Sequence, residues 1–374
     1  MSMQSNKVYI QAMSACCSVG RTGADIFNAA LSGVSGVKKH RDCLINGEES
    51  AIGKMEFETS FETLLLEKVE EVFIQSSLEN FQDTLLLVGT SVGGMTWAEK
   101  QFIKDDGSYE HIVLEKQSMQ SIALTLKKKF SFKDAITFST ACTSSSNALV
   151  FAKEVLESGV YTKVLVVGAD SISYTTVNGF NALGVLSSEC STPFDSDRTG
   201  MNVAEGIGVL LLGTKVAEVQ LLGVGCSSDA YNITHPEPEG KGAKLAMLNA
   251  LKDAGIKAEN IDYINAHGTG TVANDTSEGK AILELFPHSP YVGSTKSITG
   301  HTLGACGAIE AIISVEVLNQ QIIPSNRNLQ TKELVNLNTL QKNKQTSVNF
   351  VLSNAFAFGG NNVSIILKRV ADEN

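Results

Sequence analysis

The sequence has little proline, no regular cysteine spacing and no long apolar run. Only 6 of the 374 residues are Pro and 19% are charged, which excludes an extended disordered chain. The 7 Cys are odd in number and form no Cys-x-x-Cys pair, so neither a zinc site nor a disulfide framework is expected. No apolar run reaches the roughly 18 residues that span a bilayer, and residues 1–11 lack a signal-peptide pattern. These absences predict a cytoplasmic protein.

Basic residues are the minority among the charged ones. The chain has 30 Lys and Arg against 40 Asp and Glu, a formal net charge of −10. A general nucleic-acid binder needs a dominant basic face, so that class is excluded. A local basic patch for an acidic partner remains compatible with this charge. The length and the 43% of hydrophobic residues predict a large core rather than one small module.

Short apolar runs alternate with helical patterns along the chain. The runs predict strands at residues 8–13, 85–90, 136–140, 163–168, 207–212, 219–224, 263–266, 291–294, 347–355 and 363–367. Helical patterns fall at residues 20–32, 147–156, 240–254, 275–285 and 304–319. This alternation predicts an α/β protein whose sheets are covered on both faces. The second half repeats the style of the first, which predicts a duplication into residues 1–215 and 216–374. The more polar stretches 51–80 and 326–346 are interpreted as surface excursions.

One cysteine stands at a predicted strand-to-helix turn. Cys142 follows the strand that begins at residue 136 and precedes the helix of residues 147–156. A thiol at a helix start lies near unpaired N–H groups and the positive end of the helix dipole, which stabilise a thiolate. A sharp turn of this kind also exposes its side chain. Cys142 is therefore a candidate nucleophile, and a buried structural Cys is the alternative.

Three further segments carry candidate site residues. His267 follows an apolar strand and precedes Gly268 and Gly270, where it is either a catalytic group or a turn residue. Lys296 and His301 lie five residues apart between a strand and a helix. The segment 354–362 combines two Phe with paired Gly, which suggests a backbone N–H presented to a ligand.

In the order Cys142, His267, Lys296 with His301, and Phe358-Gly359-Gly360, these motifs resemble the β-ketoacyl-acyl carrier protein synthases of the thiolase fold. The chain looks most similar to the elongating Cys-His-His type. The resemblance runs over nearly the whole chain and includes segments 184–187, 193–198 and 205–208. It implies two duplicated βαβαβαββ halves that form a five-layered αβαβα core.

The resemblance also implies a mechanism. Cys142 would accept an acyl chain from a carrier-protein thioester. His267 and His301, as neutral imidazoles, would hold the malonyl thioester oxygen while carbon dioxide leaves. The backbone N–H groups of Cys142 and Phe358 would form the oxyanion hole. Because decarboxylation supplies the driving force, no metal or redox cofactor is expected, and the substrates would arrive on the phosphopantetheine arm of the carrier protein.

The remaining site residues are also implied by the resemblance. Lys296 would order the site together with Glu310 rather than act as the nucleophile. Phe358, with Phe356 beside it, would gate the acyl pocket. Two residues match positions that line that pocket, with a core role as the alternative for the first: Val92 and Phe194. Basic residues expected to dock the acidic carrier protein, with a solvated face as the alternative for the three Lys, are Lys127, Lys128, Lys129 and Arg198.

Two departures from the family pattern suggest a specialised role. Ala357 stands where the family usually has Gly, and Asn361 stands where it usually has Thr. The chain is also shorter than typical elongating synthases. We therefore expect a synthase that elongates a polyene or polyketide chain rather than one of routine fatty-acid synthesis.

The family forms dimers, either of identical chains or with a catalytically inactive sister called a chain-length factor. The rival interpretation is that this chain is itself such a non-catalytic subunit, which the intact Cys142 argues against. A thiolase that uses free coenzyme A is a further alternative. Thiolases of this fold use a second Cys late in the chain, and Cys306 lies in a different context.

Overall fold

The computed structural model describes residues 6–78, 80–334 and 336–370. The strands of the first half are β1 (Tyr9–Cys17), β2 (Lys38–His40), β3 (Ser50–Ile52), β4 (Leu85–Gly89), β5 (Ala135–Phe138), β6 (Lys163–Asp170) and β7 (Gly206–Gly213). Those of the second half are β8 (Val219–Ser228), β9 (Tyr263–Asn265), β10 (Tyr291–Gly293), β11 (Ile322–Ile323), β12 (Lys344–Gln345), β13 (Phe350–Phe356) and β14 (Asn361–Arg369).

The helices carry capping residues that explain several of their ends. They are α1 (Gly23–Ser32), α2 (Phe61–Ser76), α3 (Met95–Lys104), α4 (Leu114–Gln117), α5 (Ser121–Phe130), α6 (Ser144–Glu157), α7 (Tyr174–Ala182), α8 (Lys241–Ala254), α9 (Val272–Leu285), α10 (Lys296–Thr299) and α11 (Cys306–Gln320). The side chains of Thr22, Ser60 and Thr271 accept N–H bonds at the starts of α1, α2 and α9.

The two halves repeat one strand order. In the first half the order is β1-β7-β6-β4-β5, and in the second it is β8-β14-β13-β9-β10. In the first half β1 pairs antiparallel with β7, β7 antiparallel with β6, and β6 parallel with β4. In the second half β8 pairs antiparallel with β14, β14 antiparallel with β13, and β13 parallel with β9. β4 also pairs parallel with β5, and β9 with β10. Helices α2, α5 and α6 follow β1, β4 and β5 along the chain, and helices α8, α9 and α11 follow β8, β9 and β10. The predicted duplication of βαβαβαββ units is therefore confirmed.

Five layers follow from how the apolar faces are buried. The central core lies around α6 and α11, which pack against each other between the two five-stranded halves of the sheet. A second cluster joins α2 and α5 to the outer face of the first half, and a third joins α8 and α9 to the outer face of the second. The predicted αβαβα architecture is therefore confirmed.

The division of the chain into two domains, residues 1–215 and 216–374, stays a prediction. The boundary falls between β7 and β8, but Tyr9 and Ile10 of β1 pair with Gln220 and Val219 of β8. Strands of both halves therefore belong to one ten-stranded sheet, and α6 and α11 share one core.

Two expectations need correction or refinement. Residues 51–80 are not only a surface excursion, because they contain α2, whose Leu64, Leu65 and Val69 are buried. The sequence pattern was obscured there by the charged outer face of the helix. The segment Leu303–Gln320 is apolar enough on average to cross a membrane by length and composition, and 83% of it is buried inside the protein. It is the central core helix α11 with the turn before it.

Candidate active site

Cys142 lies on a strained turn between β5 and α6. The preceding residue, Ala141, has φ 52°, a left-handed conformation that is uncommon for a residue with a side chain. Ser144 fixes this turn, because its hydroxyl accepts the N–H of Thr140 at 3.0 Å and donates to the Ala141 carbonyl at 2.6 Å. The turn directs Cys142 into a cavity, where its side chain is almost buried. Strain of this kind concentrates at functional sites.

His267 follows β9 and is held by a buried carboxylate. The N–H groups of His267 and Gly268 each donate to Glu278 at 2.8 Å, one to each oxygen, and Asn354 Nδ2 donates to the same carboxylate at 3.0 Å. Burial raises the pKa of Glu278 to about 7. Burial, the charge of Lys296 and the neighbouring His301 hold the pKa of His267 well below its usual value. His267 is therefore a neutral imidazole at physiological pH.

His301 has a fixed tautomer. Its Nδ1 accepts the N–H of Leu303 at 3.0 Å, and the Cys306 sulfur lies 3.3 Å from the same atom. Since Nδ1 accepts, the proton of the neutral ring lies on Nε2. The backbone of His301 is anchored on both sides, because its N–H donates to Asn202 and its carbonyl accepts from Ala204. The segment thus presents an N–H donor of defined orientation.

The nucleophile candidate and the two imidazoles meet at one point. One ligand atom from each of Cys142, His267 and His301 lies within 4.8 Å of the others. The two imidazole rings are 5.4 Å apart and nearly perpendicular. A thiolate and two imidazole nitrogens at this spacing could also bind a soft metal ion such as Zn²⁺. For a reaction at the thiol, the same arrangement offers one nucleophile and two N–H donors.

Lys296 and Glu310 form a buried ion pair beside the histidines. Lys296 Nζ donates to Glu310 Oε1, and both side chains are almost fully buried. Burial lowers the pKa of Lys296, but the Glu310 carboxylate outweighs it, so the pKa lies above its usual value. Lys296 is therefore a cation, which agrees with its predicted role in ordering the site and not with that of a nucleophile.

A cavity leads from these groups to the surface. Its inner end contains Cys142, His267 and His301, and its outer end contains exposed residues of the loop that follows β8. The walls between them are mostly apolar or hydroxyl-bearing: Phe180, Val185, Met201, Thr269, Thr271, Ala273, Phe356 and Phe358. The Phe180 and Phe358 rings contact each other edge to face, with centroids 5.8 Å apart.

Two backbone N–H groups are available for a developing oxyanion. Neither the N–H of Cys142 nor that of Phe358 donates to any atom of the residues that the structure describes. Phe358 lies in the turn between β13 and β14, where Gly359 and Gly360 have φ 85° and 77°. Ala357 does not have a positive φ, so its methyl group fits this turn without strain. These are the donors that the sequence predicted.

Asn361 links that turn to the helix of the nucleophile. Its Oδ1 accepts from Thr143 Oγ1 at 2.8 Å and from Asn147 Nδ2 at 2.9 Å. Both donors belong to the start of the α6 segment, directly after Cys142. The Asn that departs from the family pattern therefore joins the turn of Phe358 to the segment that follows Cys142.

Val92 and Phe194 do not line the cavity. Val92 is buried among apolar side chains next to the cavity wall, and its N–H donates to Asp170. Phe194 packs against the loop of Gly268 and belongs to the core of the second half. Each side chain packs behind the wall of this cavity, and the predicted role of both in the acyl pocket stays a prediction.

Arg198 is wrongly placed in the predicted docking patch. It is 5% exposed, and its guanidinium donates to the Asp195 carbonyl at 2.7 Å and to Thr276 Oγ1 at 2.9 Å. It also forms ion pairs with Asp275 and Glu333. The positive charge is neutralised inside the protein and cannot meet a partner at the surface.

The three lysines Lys127, Lys128 and Lys129 are exposed in the last turn of α5. They precede the start of β5, whereas Cys142 follows its end, and none of them lines the cavity. Lys129 lies 3.7 Å from Glu70. Within one chain these residues do not surround the cavity mouth, and their role in docking stays a prediction.

Sequence reasoning missed two buried carboxylates and two cavity residues. Asp170 accepts the N–H groups of Ser91, Val92 and Gly304 at 2.6–3.1 Å. It thereby joins the end of β6 to the segment after β4 and to the segment before α11. Asp170 ends an apolar strand, a position where an acidic residue is unusual and could have been noticed. Glu278 lies four residues after Asn274 on α9 and gave no such signal. Phe180 and His235 are recognisable only once the chain is folded.

Comparison with known proteins places the chain in a family. Residues 53–217 match the family described as "Beta-ketoacyl synthase, N-terminal domain", and residues 218–330 match "Beta-ketoacyl synthase, C-terminal domain". The 3-oxoacyl-[acyl-carrier-protein] synthase 2 of Coxiella burnetii is 31% identical over 99% of this chain and 100% of its own length. The enzyme of the same name from Synechocystis sp. is 29% identical over 98% of this chain and 99% of its own length.

Solved structures agree with the sequence relatives. A ketosynthase from Xenorhabdus doucetiae, in complex with its chain length factor, superposes with a TM-score of 0.91 at 30% identity and covers 98% of both chains. A β-ketoacyl synthase from Burkholderia phymatum superposes with a TM-score of 0.89 at 26% identity over 98% of this chain and 100% of its own. The predicted family and fold are confirmed, and the chain therefore belongs to the β-ketoacyl synthases, which are condensing acyltransferases.

Proposed function

We propose that this protein elongates a carrier-bound acyl chain by decarboxylative Claisen condensation with malonyl-carrier protein. The observation that carries the proposal is the meeting of Cys142 with two neutral imidazoles at the inner end of one cavity. The names of the sequence relatives support an acyl carrier protein as the substrate donor.

The first half-reaction transfers the acyl group to Cys142. The Cys142 thiolate attacks the thioester carbon of the acyl-carrier protein, and the carrier thiolate leaves and takes up the proton that Cys142 lost. The N–H groups of Cys142 and Phe358 stabilise the oxyanion of the tetrahedral intermediate, since neither has another acceptor among the described residues.

The second half-reaction forms the carbon–carbon bond. The thioester oxygen of malonyl-carrier protein accepts the Nε2–H of His301 and an N–H of His267. The C–C bond to the carboxylate breaks, carbon dioxide leaves, and the electron pair forms an enolate on that oxygen. The enolate carbon attacks the acyl-Cys142 carbonyl, and the Cys142 thiolate is released. Neutral imidazoles suit this step because they donate without protonating the carbanion.

No metal or redox group takes part in these steps, because decarboxylation provides the driving force. Burial and then the positive charge of Lys296 lower the pKa of His267 and keep it neutral, and Glu310 keeps Lys296 protonated. A soft metal bound at Cys142, His267 and His301 would block the nucleophile. We therefore propose that chelators leave the activity intact and that Zn²⁺ inhibits it.

We place the reaction in specialised polyene or polyketide elongation. The ketosynthase of Xenorhabdus doucetiae, 30% identical over nearly the whole chain, was solved with a chain length factor. The outer strand β5 carries no further strand among the described residues, and the side chain of its Ile136 is exposed. Three more exposed apolar side chains occur between β4 and β5 along the chain: Ile103, Tyr109 and Leu114. This edge suits a second subunit, either an identical chain or a chain-length-factor-like partner.

The rival role, a non-catalytic partner subunit, conflicts with the complete site. A subunit that only shapes a neighbour's pocket has no need of Cys142, two oriented imidazoles and two free N–H donors. Size measurement of the protein alone, by light scattering, separates a homodimer from a chain that awaits a different partner. We also propose a cytoplasmic location.

The test is intact-mass spectrometry after mixing the protein with acyl-carrier proteins that vary in chain length and unsaturation. We expect an acyl adduct in the wild type and in Cys226→Ala, because Cys226 is an exposed thiol outside the cavity. Cys142→Ala should lose the adduct and lower condensation by roughly 10³-fold or more, as removal of a nucleophile does. An adduct that persists in Cys142→Ala overturns the proposal. A preference for saturated chains of ordinary length overturns the specialised assignment alone.

A further inference from the structure

We propose that His235 binds the phosphate of the phosphopantetheine arm at the cavity mouth. The inference rests on the proposed function, because that function brings a phosphopantetheine thioester to Cys142. His235 is exposed and lines the outer end of the same cavity whose inner end contains Cys142. The two residues thus stand at the two ends that the arm must connect.

Among the described residues, few basic side chains line the cavity. None of the lining residues is Lys or Arg, and the three histidines are His235, His267 and His301. His267 and His301 are buried beside Cys142, and His267 is held neutral there. A phosphate that enters with the arm therefore meets one basic side chain at the mouth, the exposed imidazole of His235.

The local backbone holds His235 in place. The loop after β8 is tied to the turn of the Phe358 gate, because Gly359 donates its N–H to the Ile233 carbonyl at 2.7 Å. Asn232 Oδ1 accepts the N–H of Thr234 at 2.9 Å, and Thr234 Oγ1 lies 3.0 Å from His235 Nδ1. The Nε2 atom of His235 has no partner among the described residues, so the ring keeps one nitrogen for a ligand.

The one carboxylate that lines the cavity is already engaged. Asp229 Oδ1 accepts from Asn362 Nδ2 at 2.6 Å, and its Oδ2 accepts the N–H of Glu237 at 3.0 Å. These bonds reduce its repulsion of an incoming anion. The nearest lysine on this part of the chain, Lys241, lies outside the cavity and 3.7 Å from Glu237. It supplies a matched control for long-range charge.

The ligand chemistry is a negatively charged phosphate ester. The carrier presents it as a singly charged phosphodiester, and free phosphopantetheine presents it as a phosphomonoester. A ring N–H of His235 donates to such a phosphate oxygen, and Asn232 and Thr234 offer further polar groups at the same end of the cavity. Thioesters with and without the phosphate therefore separate its contribution from that of the protein surface of the carrier.

The experiment compares three donors of the same acyl group: the carrier-protein thioester, the phosphopantetheine thioester and the pantetheine thioester. The rate of Cys142 acylation gives kcat/KM for each. We expect the wild type to prefer the phosphopantetheine over the pantetheine thioester, and His235→Gln to lower that ratio about tenfold, the scale of a hydrogen bond to a charged group. The carrier thioester should lose a similar factor. Lys241→Gln should keep the wild-type ratio, and His235→Lys should restore most of it.

An unchanged ratio in His235→Gln overturns the inference, and so does an equal fall of the ratio in Lys241→Gln. The ratio is independent of the folded fraction of each variant, because both thioesters report on the same sample. If none of the three donors acylates wild-type Cys142, the proposed function fails, and the inference fails with it. A wild type that is acylated equally well by both small thioesters overturns the inference while leaving the proposed function intact.

Discussion

The two halves of the molecule use the same connections for different chemistry. The connection between β5 and α6 carries Cys142 in the first half, and the equivalent connection between β10 and α11 carries Lys296 and His301 in the second. In both halves that connection contains a left-handed residue with a side chain, Ala141 at φ 52° and Leu303 at φ 53°. In the proposed mechanism, one half thus presents the nucleophile and the other presents N–H donors.

The connections that follow β4 in the first half and β9 in the second differ in the same way. In the first half, the Ser91 and Val92 N–H groups donate to buried Asp170, and no side chain of this connection enters the chemistry. In the second half, the N–H groups of His267 and Gly268 donate to buried Glu278, and the His267 ring enters the cavity. A buried carboxylate thus accepts the N–H groups of this connection in both halves, but it comes from different elements, from the end of β6 for Asp170 and from α9 for Glu278.

The largest effect expected from this asymmetry concerns the ions buried in the second half. Lys296→Met leaves Glu310 buried without a partner, which should lower the free energy of unfolding by about 3–5 kcal/mol. Lys296→Met with Glu310→Leu should recover most of that loss without recovering condensation. Urea unfolding measures both.

Lys54→Met is the control for that ion pair. Lys54 pairs with Asp42 at 2.7 Å where the Asp42 side chain is largely exposed. Its loss should cost about 1 kcal/mol or less. If both lysine variants lose the same stability, burial does not distinguish the two pairs and the comparison fails.

The division of labour between the halves predicts a split in the kinetics. His301→Ala should lower condensation by about 10²–10³-fold, the scale for loss of one oxyanion donor. Acylation of Cys142 should fall by a smaller factor, since its oxyanion uses the N–H groups of Cys142 and Phe358. Single-turnover acylation and steady-state condensation separate the two steps. Equal losses in both steps would mean that His301 serves the nucleophile as well.

The buried carboxyl group of Glu278 predicts a pH effect on the free energy of unfolding. Because the pKa of Glu278 is about 7 in the fold and 4.5 as an ordinary Glu, the folded state holds the extra proton between these values. Its contribution therefore makes the wild type less stable as pH rises through this window, by up to about 3 kcal/mol. Glu278→Gln should remove that slope.

The comparison of wild type and Glu278→Gln isolates this group. His267 acts in the opposite direction, because its lowered pKa weakens the fold as pH falls below its ordinary value of 6.5. That contribution cancels in the difference between the two proteins. A difference that stays constant from pH 4.5 to 7 would assign the extra proton to another group.

The sequence predicted the ten strands of the main sheet and the duplication because both depend on local patterns. It did not predict the short strands β2, β3, β11 and β12. Cys142 and His267 follow apolar strands at recognisable turns, and the fold brings them together as the resemblance implies. Prediction failed for Arg198, because the deciding fact is which distant groups surround its side chain. Asp275 and Glu333 neutralise Arg198 from other segments of the chain, and no local pattern reveals that.

The order of synthesis gives the β13–β14 hairpin a further significance. Its turn supplies the N–H of Phe358, and β14 is inserted between β8 and β13. This hairpin follows Cys142 along the chain, so Cys142 is synthesised before the segment that supplies the Phe358 N–H. We expect a chain that lacks the hairpin to present Cys142 without one of the two N–H donors of the proposed oxyanion site.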